Sequence, residues 1–295
     1  MNSKITNRVA LSLIVLCAVI MAGTLAALLG YILYQGLGSI SWHFLTSESN
    51  PFLAGGGIKD QLWNSFYVLL ITMLITIPIG VSGGIYLAEY AKPGKLTSFI
   101  RSCVEVLASL PSIVVGMFGM LIFVNYFGFH YSVLSGALAL TVFNLPVIVR
   151  VTEDGFSALS LHQKEGGLAL GLTHWHTIKT ILLPAAFPSI LTGVILSAGR
   201  VFGESAALLF TAGLSTPNLD FTNWNPAAPN SPLNIFRSAE TLSVHIWAVN
   251  TSGIIPDIQT VANGSAAVLV ICVLLFNLLA RGLGKAINRK LSGKS

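Results

Sequence analysis

Residues 164–184 read KEGGLALGLTHWHTIKTILLP, a polar stretch that separates two long apolar intervals. Gly166 and Gly167 give its first part small side chains, and Gly171 stands near its middle. Glycine adopts turn conformations without steric cost, and proline lacks the N–H that a helix interior needs. The pattern therefore predicts a short helix, a turn at Gly171, and a second helix that ends before Pro184. Paired glycines would let the first helix approach a partner closely, although each lowers helix propensity by up to about 1 kcal/mol.

Charged residues are scarce in this chain and are confined to short segments. Of its 295 residues, 54% are hydrophobic and 9% are charged. Soluble domains carry about 25% charged residues, because their surfaces face water. The composition therefore excludes a soluble globular protein and predicts a surface that faces lipid. The uncharged intervals are 9–47, 61–88, 106–149, 180–199, 205–219 and 258–280.

These intervals predict six membrane-spanning helices. A helix needs about 20 apolar residues to cross the hydrocarbon core, so the interval 106–149 holds two spans with a break near 125–130. The first span is longer than the apolar core of a signal peptide, which has about 7–15 residues, so we expect it to remain uncleaved. The predicted spans are 9–34, 62–87, 104–127, 132–149, 184–210 and 262–280.

The basic residues orient these spans, because Lys and Arg accumulate in cytoplasmic loops. Thirteen of the sixteen lie on the side that holds both termini, two (Lys59 and Arg237) lie on the other side, and Arg200 falls within a span. Both termini are therefore predicted to be cytoplasmic. The net charge of +5 then reflects membrane topology, and no nucleic-acid partner is expected. The thirteen are Lys4, Arg8, Lys92, Lys95, Arg101, Arg150, Lys164, Lys179, Arg281, Lys285, Arg289, Lys290 and Lys294.

Spans and loops divide the chain into three predicted parts. The second of these, the transmembrane core, contains a cytoplasmic loop at 150–183 and an external loop at 211–261. Within the external loop, 233–248 has the pattern of an amphipathic helix lying on the outer surface. The three parts are 1–61 with the first span and first external loop, 62–281 with the core, and 282–295 as a basic cytoplasmic tail.

The sequence lacks the motifs of nucleotide and metal sites. It has no Gly-x-x-x-x-Gly-Lys-Ser/Thr motif, so we do not expect this chain to bind ATP and Mg²⁺. The three cysteines lie at no metal-like spacing. His174 and His176, which flank Trp175, lack the further nearby ligands that Zn²⁺ needs. We therefore predict no metal and no cofactor, and we interpret the His-Trp-His stretch as an exposed surface that faces a partner.

One motif is typical of a different class of protein. Residues 80–84 read GVSGG, which fits the Gly-x-Ser-x-Gly pattern of serine hydrolases and is similar to the motif of rhomboid intramembrane proteases. A serine nucleophile needs a base such as His, and all six His residues fall in loops or at span edges. Small residues that pack a helix end are the favoured interpretation, and a rhomboid-like serine protease is the alternative.

The stretch 164–184 resembles the EAA loop of ABC importer permeases. That loop reads Glu-Ala-Ala, three residues, Gly, nine residues and Ile-x-Leu-Pro, and this chain departs from it by having Gly166 and Gly167 in place of the two alanines. The residues in register with the motif are Glu165, Gly171, Ile181, Leu183 and Pro184. Three further segments resemble Pst-type phosphate permeases, in an order closer to the A-type than to the C-type subunit. They are 84–90 (GIYLAEY), 110–119 (LPSIVVGMFG) and 199–213 (GRVFGESAALLFTAG).

The resemblance implies an all-α integral membrane protein with the type I ABC importer (MetI-like) permease fold, in which one extra span precedes a five-span core. It implies a permease that takes phosphate across the inner membrane, with sulfate or molybdate as alternative anions. The expected partners are a second, C-type permease, a cytoplasmic ATPase dimer that binds the ATP and Mg²⁺, and an external phosphate-binding protein. The residues expected to couple to the ATPase are Glu165, Gly166, Gly167, Gly171, Ile181 and Pro184.

Charged residues within the spans are the candidates for a substrate path, because they are costly in a bilayer unless a cavity or neighbour accommodates them, and prolines within the spans are the candidates for helix breaks. Arg200 and Glu204 are four residues apart in the fifth span and would share a helix face, and Arg150 lies at the inner edge of the fourth. Either the pair neutralises itself and holds the bundle together, or Arg200 offers its guanidinium to phosphate while Glu204 sets its geometry. The prolines expected to interrupt or kink spans are Pro78, Pro111 and Pro146.

Overall fold

The computed structural model describes residues 3–50, 54–159, 161–252 and 257–291, and all regular elements within these ranges are helical. The all-α class predicted from the sequence is therefore confirmed. Wide π-helical turns follow three of the helices, at Tyr86–Tyr90, Met120–Tyr126 and Ile178–Leu182. The helices are α1 (Ser3–Gly36), α2 (Trp42–Thr46), α3 (Lys59–Ile85), α4 (Lys95–Ser109), α5 (Ser112–Gly119), α6 (Val133–Ser157), α7 (Leu161–Ala169), α8 (His174–Thr177), α9 (Leu183–Gly203), α10 (Ala206–Leu209), α11 (Leu242–Ser252) and α12 (Ile258–Leu291).

Five helical segments of the described chain are long and apolar enough to cross a membrane. Four of them coincide with predicted spans, apart from their ends. The fifth predicted span, 184–210, is displaced toward the N-terminus, because α8 continues through a π-helical turn into α9 and the chain leaves the helix after Gly203. The observed segments are Asn7–Ser39, Lys59–Tyr90, Val133–Ser157, His174–Gly203 and Ile258–Gly282.

The third predicted span, 104–127, is not one straight helix. α4 and the segment Ser112–Tyr126 are long and apolar enough only as a pair, and they meet at an angle of 103°. Leu110 and Pro111 between them are extended, with ψ angles of 136° and 139°. A proline ring disfavours the helical conformation in the residue before it, and this explains where the helix breaks. The break falls at Pro111, one of the three prolines expected to interrupt or kink a span, and the pair, counted as one broken span, is the sixth candidate for a membrane crossing in the described chain.

Pro78 and Pro146 behave differently from Pro111. Both lie inside continuous helices, α3 and α6, so neither interrupts its span, and a kink at either position stays a prediction. A membrane-spanning helix tolerates proline where neighbouring helices accommodate the freed backbone groups, and α3 and α6 pack against each other over much of their length.

Small residues bring α3 and α6 into close contact. A Cβ atom on Gly80 would lie 2.6 Å from Ile148 Cγ2, and one on Gly84 would lie 2.5 Å from Thr152 Cβ. No larger residue fits at either position without moving α6. Close backbone approach of this kind gives dense packing between membrane helices. α3 and α6 therefore form one tightly packed unit, against which α9 also packs.

α1 stands at the periphery of the bundle. In the most apolar 18-residue stretch of α1, no residue is buried within the chain, whereas 67% of the residues in the corresponding stretch of α6 are buried. Its C-terminal end does contact α12, since Gly36 lies too close to Asn263 and Ala267 to accommodate a Cβ atom. An exposed apolar helix of this kind is expected to face lipid or another subunit.

The external segment between α10 and α11 packs back onto the start of α3. The predicted surface helix at 233–248 is wrong, because helical structure begins only at Leu242. Leu242 and Val244 are fully buried, and His245 is nearly so. α11 packs against α12 and α3, so it is part of the bundle and does not lie on the outer surface.

Candidate functional site

The cytoplasmic stretch 164–184 begins as predicted, with a helix and a glycine turn. The Leu172 amide donates a hydrogen bond to the Gly167 carbonyl (3.3 Å) and closes the end of α7. Gly171 has a φ angle of +80°, in the left-handed region that residues with a side chain rarely adopt. The Thr173 hydroxyl then accepts a hydrogen bond from the His176 amide (3.3 Å) and caps α8.

The two glycines of α7 have different surroundings. Gly166 is exposed, and a Cβ atom there would meet nothing within 4 Å. Gly167 is buried, and a Cβ atom there would lie 2.7 Å from Thr177 Cγ2 and 2.9 Å from Ile181 Cδ1. Thus Gly167 and Ile181, both predicted coupling residues, hold α7 against the beginning of the next helix, while Gly166 stays open to a partner.

The second helix does not end before Pro184, as the sequence had predicted. α8, the π-helical turn Ile178–Leu182 and α9 form one continuous helix that runs to Gly203. Pro184 lies in the first turn of α9, where the wide turn before it already alters the hydrogen-bonding pattern. The cytoplasmic loop and the fifth span are therefore joined without a break.

The outer surface of the loop exposes apolar side chains beside a carboxylate. Leu168, Leu170 and Trp175 are 43%, 81% and 60% exposed. Glu165 is also exposed, and its Oε2 lies 3.8 Å from His162 Nδ1. Exposure of large apolar side chains to water is unfavourable, so an exposed apolar surface on a loop is typical of a protein–protein contact. We call it the coupling surface.

Glu89, in the π-helical turn that follows α3, contacts the loop from the side of the membrane. Its Oε2 lies 2.6 Å from Lys164 Nζ and 3.0 Å from His174 Nε2, and its side chain is only 9% exposed. The Tyr90 ring packs edge-on against the His174 ring, with centroids 4.9 Å apart. Sequence reasoning missed these contacts, although Glu89 is the charged residue that ends the apolar interval 61–88.

Arg200 and Glu204 do not form the pair that their spacing predicts. α9 ends at Gly203, so Glu204 lies beyond the helix, and its Oε1 accepts a hydrogen bond from the Ala207 amide (3.2 Å) at the start of α10. The Arg200 guanidinium instead lies 4.4 Å above the centre of the Phe143 ring of α6. Among the described residues it has no carboxylate partner. The interpretation that Arg200 and Glu204 neutralise each other on one helix face is therefore wrong, since the two residues do not share a helix.

Arg150 lies on α6 seven residues after Phe143, so the two positions share a helix face about 10 Å apart. Its guanidinium is 3.1 Å from Glu105 of α4 and 3.6 Å from Asp154, and the side chain is 55% exposed. Nearby, Arg101 of α4 is 2.7 Å from Glu153. Arg150 is therefore engaged in an ion-pair network that joins α4 to α6, whereas Arg200 is not.

A buried polar cluster at the opposite end of the bundle was also missed by the sequence reasoning. Arg237 donates from Nη2 to Asn64 Oδ1 (2.8 Å) and from Nε to the Ser231 carbonyl (3.1 Å). Burial lowers the pKa of Arg237 to about 10, so it stays protonated at neutral pH. Glu240 accepts from Gln61 Nε2 (2.9 Å) in the same region. These contacts attach the external segment to α3. Arg237, the basic residue in a loop with few charged residues, was the sequence feature that could have indicated a buried polar cluster here.

Within the described ranges, no group of three or more His, Cys, Asp and Glu side chains is placed to hold a metal ion. Of the two histidines beside Trp175, His174 contacts Glu89, and His176 donates its amide to Thr173. The site thus consists of an exposed coupling surface, a continuous helix that leads away from it, and an arginine near the far end of that helix.

This arrangement is the one expected of a membrane-embedded permease that moves in response to a partner on one side of the membrane. The chain belongs to this family: the model of the binding-protein-dependent transport system inner membrane component matches residues 80–293. The permease spans the inner membrane several times and carries no catalytic site, and ATP is bound by a separate ATPase subunit. A second permease and a binding protein complete an importer of this class.

Particular relatives are similar over nearly the whole chain. The probable ABC transporter permease protein YqgI of Bacillus subtilis is 61% identical, and the match covers 99% of both chains. The phosphate transport system permease protein PstA of Xylella fastidiosa is 34% identical, with 84% of this chain and 82% of the relative covered. PstA of Pasteurella multocida is 32% identical, with 94% of each chain covered.

Solved structures of importers share the fold. A chain of the MetNI methionine ABC transporter, in an inward-facing conformation, aligns with a TM-score of 0.59 at 19% identity, covering 76% of this chain and 93% of that one. A chain of a bacterial ABC transporter for alginate import aligns with a TM-score of 0.66 at 13% identity, covering 96% and 98%. The predicted type I importer fold is therefore confirmed.

The protease interpretation of residues 80–84 is wrong. The chain is a permease, and the glycines at both ends of the motif are packing positions against α6. Ser82 itself lies on an exposed face of α3. Within the described residues, no histidine forms a hydrogen bond with its hydroxyl.

Proposed function

We propose that this chain is the A-type permease subunit of an ATP-driven phosphate importer. The observation that carries the proposal is Arg200, an exposed guanidinium on a membrane-spanning helix that has no carboxylate partner in the described chain. An unpaired arginine within a membrane is costly and is typical of a functional position. Similarity to the PstA proteins, over more than four-fifths of the chain, supports phosphate as the anion.

In this proposal Arg200 supplies the anion contact of the transport path. Its planar guanidinium offers paired N–H donors that match two phosphate oxygens, a geometry that a lysine ammonium cannot reproduce. The Phe143 ring beneath it stabilises the charge by a cation–π contact and fixes the plane of the group. Arg150 then lies farther along α6 toward the cytoplasm, and its ion pairs make it a weaker anion site than Arg200.

Glu204 has a different role in this proposal from the one its sequence position suggested. Its carboxylate caps α10 through the Ala207 amide, and so positions the chain immediately after the span. It does not balance the charge of Arg200. The positive charge of Arg200 is therefore not neutralised by Glu204, and it remains available to bind an anion.

The coupling surface of α7, with Glu165 and Gly166, docks on the ATPase in the proposed cycle. Closure of the ATPase dimer shifts the permease between inward- and outward-open states, because the two ATPase states bind the loop differently. The unbroken helix from His174 to Gly203 carries that movement to Arg200. The distance along this helix from His174 to Arg200 is about 39 Å.

Reconstitution of the complete importer in vesicles, with its binding protein outside, tests the substrate. Uptake of labelled phosphate should depend on ATP and should resist an excess of sulfate or molybdate. Uptake of sulfate or molybdate in preference to phosphate would replace the proposed anion while leaving the permease class intact. Isolation of the binding protein with its bound anion provides the independent readout.

A further inference from the structure

The cytoplasmic loop is joined covalently to two spans, and neither is α3. α7 follows α6 along the chain, and α8 continues into α9. α3 contacts the loop region through side chains near its C-terminal end. Ile85 packs in an apolar cluster with Phe156 and Ile178, and Glu89 makes the polar contact with Lys164 and His174.

The polar contact joins both arms of the loop at one atom. Lys164 lies on α7 before the Gly171 turn, and His174 begins α8 after it. Both side chains reach the same Glu89 oxygen, at 2.6 Å and 3.0 Å. The contact between the Lys164 ammonium and the carboxylate is charge-assisted and short, and burial of the Glu89 side chain reduces its screening by salt, while the Lys164 and His174 side chains are 31% and 32% exposed. We call this arrangement the Glu89 bridge.

The packing of Gly167 on Thr177 and Ile181 joins the two arms to each other but not to α3. The arms meet at Gly171, which has a φ angle of +80° and open space around its Cα. A force applied to the coupling surface could bend the loop at Gly171 instead of moving the spans. α3, by contrast, is packed tightly on α6 at Gly80 and Gly84.

We infer that Glu89 is a positioning residue that makes the coupling loop move as one body with the α3–α6 unit, so that ATPase closure moves spans rather than bending the loop at Gly171. The inference rests on the proposed function, because it assumes that the loop receives force from an ATPase. Glu89 itself contacts neither ATP nor the transported anion.

The test is phosphate taken up per ATP hydrolysed, measured with the complete importer in vesicles. Glu89→Gln keeps the size of the side chain and removes its charge, and it should lower this ratio about fivefold while the complex assembles normally. Lys164→Met should act in the same direction. The matched control is Lys92→Met, which removes an exposed lysine near Glu89 that has no ion pair among the described residues, and it should leave the ratio unchanged.

A charge exchange provides the rescue. Glu89→Lys and Lys164→Glu should each lower the ratio, and the double variant, which restores an opposite pair, should recover most of it. A purely structural contact would give another pattern: uptake and ATP hydrolysis would fall together with assembly, and their ratio would stay at the parental value. That pattern, or a double variant no better than the singles, would overturn the inference.

A second readout does not depend on the anion. Spin labels at Tyr86, the first residue of the π-helical turn after α3, and at Gln163 on α7, in a cysteine-free background, report whether the loop and the end of α3 move together. With ATP trapped in the ATPase, their distance should stay constant in the parent and change in Glu89→Gln. Constant distances in both would refute the bridge even if phosphate is transported. Absence of phosphate uptake with a distance change confined to Glu89→Gln would refute the proposed substrate alone.

Discussion

Gly167 lies so close to Thr177 that a methyl group on its Cα would stand 2.7 Å from Thr177 Cγ2 and 3.0 Å from Thr177 Oγ1. Thr177 cannot turn away easily, because it is fully buried and its hydroxyl donates to the Thr173 carbonyl (3.1 Å). α7 is therefore held against the start of the long helix by direct contact. Of the two glycines that replace the alanines of the EAA motif, Gly167 stands where a Cβ atom does not fit, whereas Gly166 stands where one would meet nothing within 4 Å.

Gly167→Ala should destabilise the loop, whereas Gly166→Ala should be tolerated. Overpacking a buried contact costs about 1–3 kcal/mol, while an alanine at the open Gly166 gains helix propensity. The measurements are co-purification of the ATPase with the permease and the thermal midpoint of the complex. Equal behaviour of the two variants would show that α7 packs differently against Thr177 and Ile181.

Arg200→Gln should insert and assemble normally but lose phosphate uptake about tenfold or more, because charge-assisted contacts to the anion are gone. Arg200→Lys should recover only part of the uptake, since an ammonium lacks the planar paired donors. Removing the arginine also removes a cost of membrane insertion, so poor assembly is not expected. The measurement is uptake per assembled complex.

Glu204 supplies the matching comparison. Glu204→Gln retains an oxygen that accepts from the Ala207 amide and should transport nearly as well as the parent. Glu204→Ala loses the cap and should destabilise the region by about 0.5–2 kcal/mol. If Arg200→Gln combined with Glu204→Gln transported phosphate like the parent, the arginine would have no role in the path and the two side chains would act as a pair after all.

Arg237→Met should loosen the external segment and lower stability by about 2–4 kcal/mol. The change leaves the Asn64 oxygen and several carbonyls without a donor in a buried site, and each such loss costs about 1–3 kcal/mol. Since the pKa of Arg237 is about 10, the group is charged at neutral pH, where its hydrogen bonds are those of the guanidinium. Thermal unfolding and protease cleavage of the external segment measure the effect. Asp220→Asn, in the exposed part of the same segment, is the control.

The bent pair α4–α5 should cross the membrane despite its 103° angle. Lys92 precedes it, Lys95 is its first residue, and Arg150 and Lys164 flank the end of α6, so the basic residues predict an even number of crossings between these points. A reporter active only outside the cell should be active at Gly128 and near Asn225, and silent after residue 295. Activity after residue 295 and silence at Gly128 would mean that the pair is re-entrant and that the chain crosses five times.

Local composition predicted most of the spans, because an uncharged run of sufficient length has few alternatives in a membrane. The loop was found through the positions of Glu165, Gly171 and Pro184. Contacts between distant residues were not accessible in this way: Glu89 with Lys164 and Arg237 with Asn64 are separated by 75 and 173 positions in the sequence. The Arg200–Glu204 pairing failed for a local reason, since helical spacing applies only while the helix continues, and it ends at Gly203.

The π-helical turn Ile178–Leu182 holds one residue more than an α-helical turn and accommodates it by being wider. Loss of one residue from this turn would therefore restore a regular α-helix and leave Arg200 pointing in nearly the same direction relative to the coupling surface. In the α-helical part between the turn and Arg200, each residue advances the helix by about 100°, so loss of one residue there would rotate the arginine by that angle. The fifth span thus has a phase as well as a length, and the wide turn is the place where a change of length leaves the phase intact.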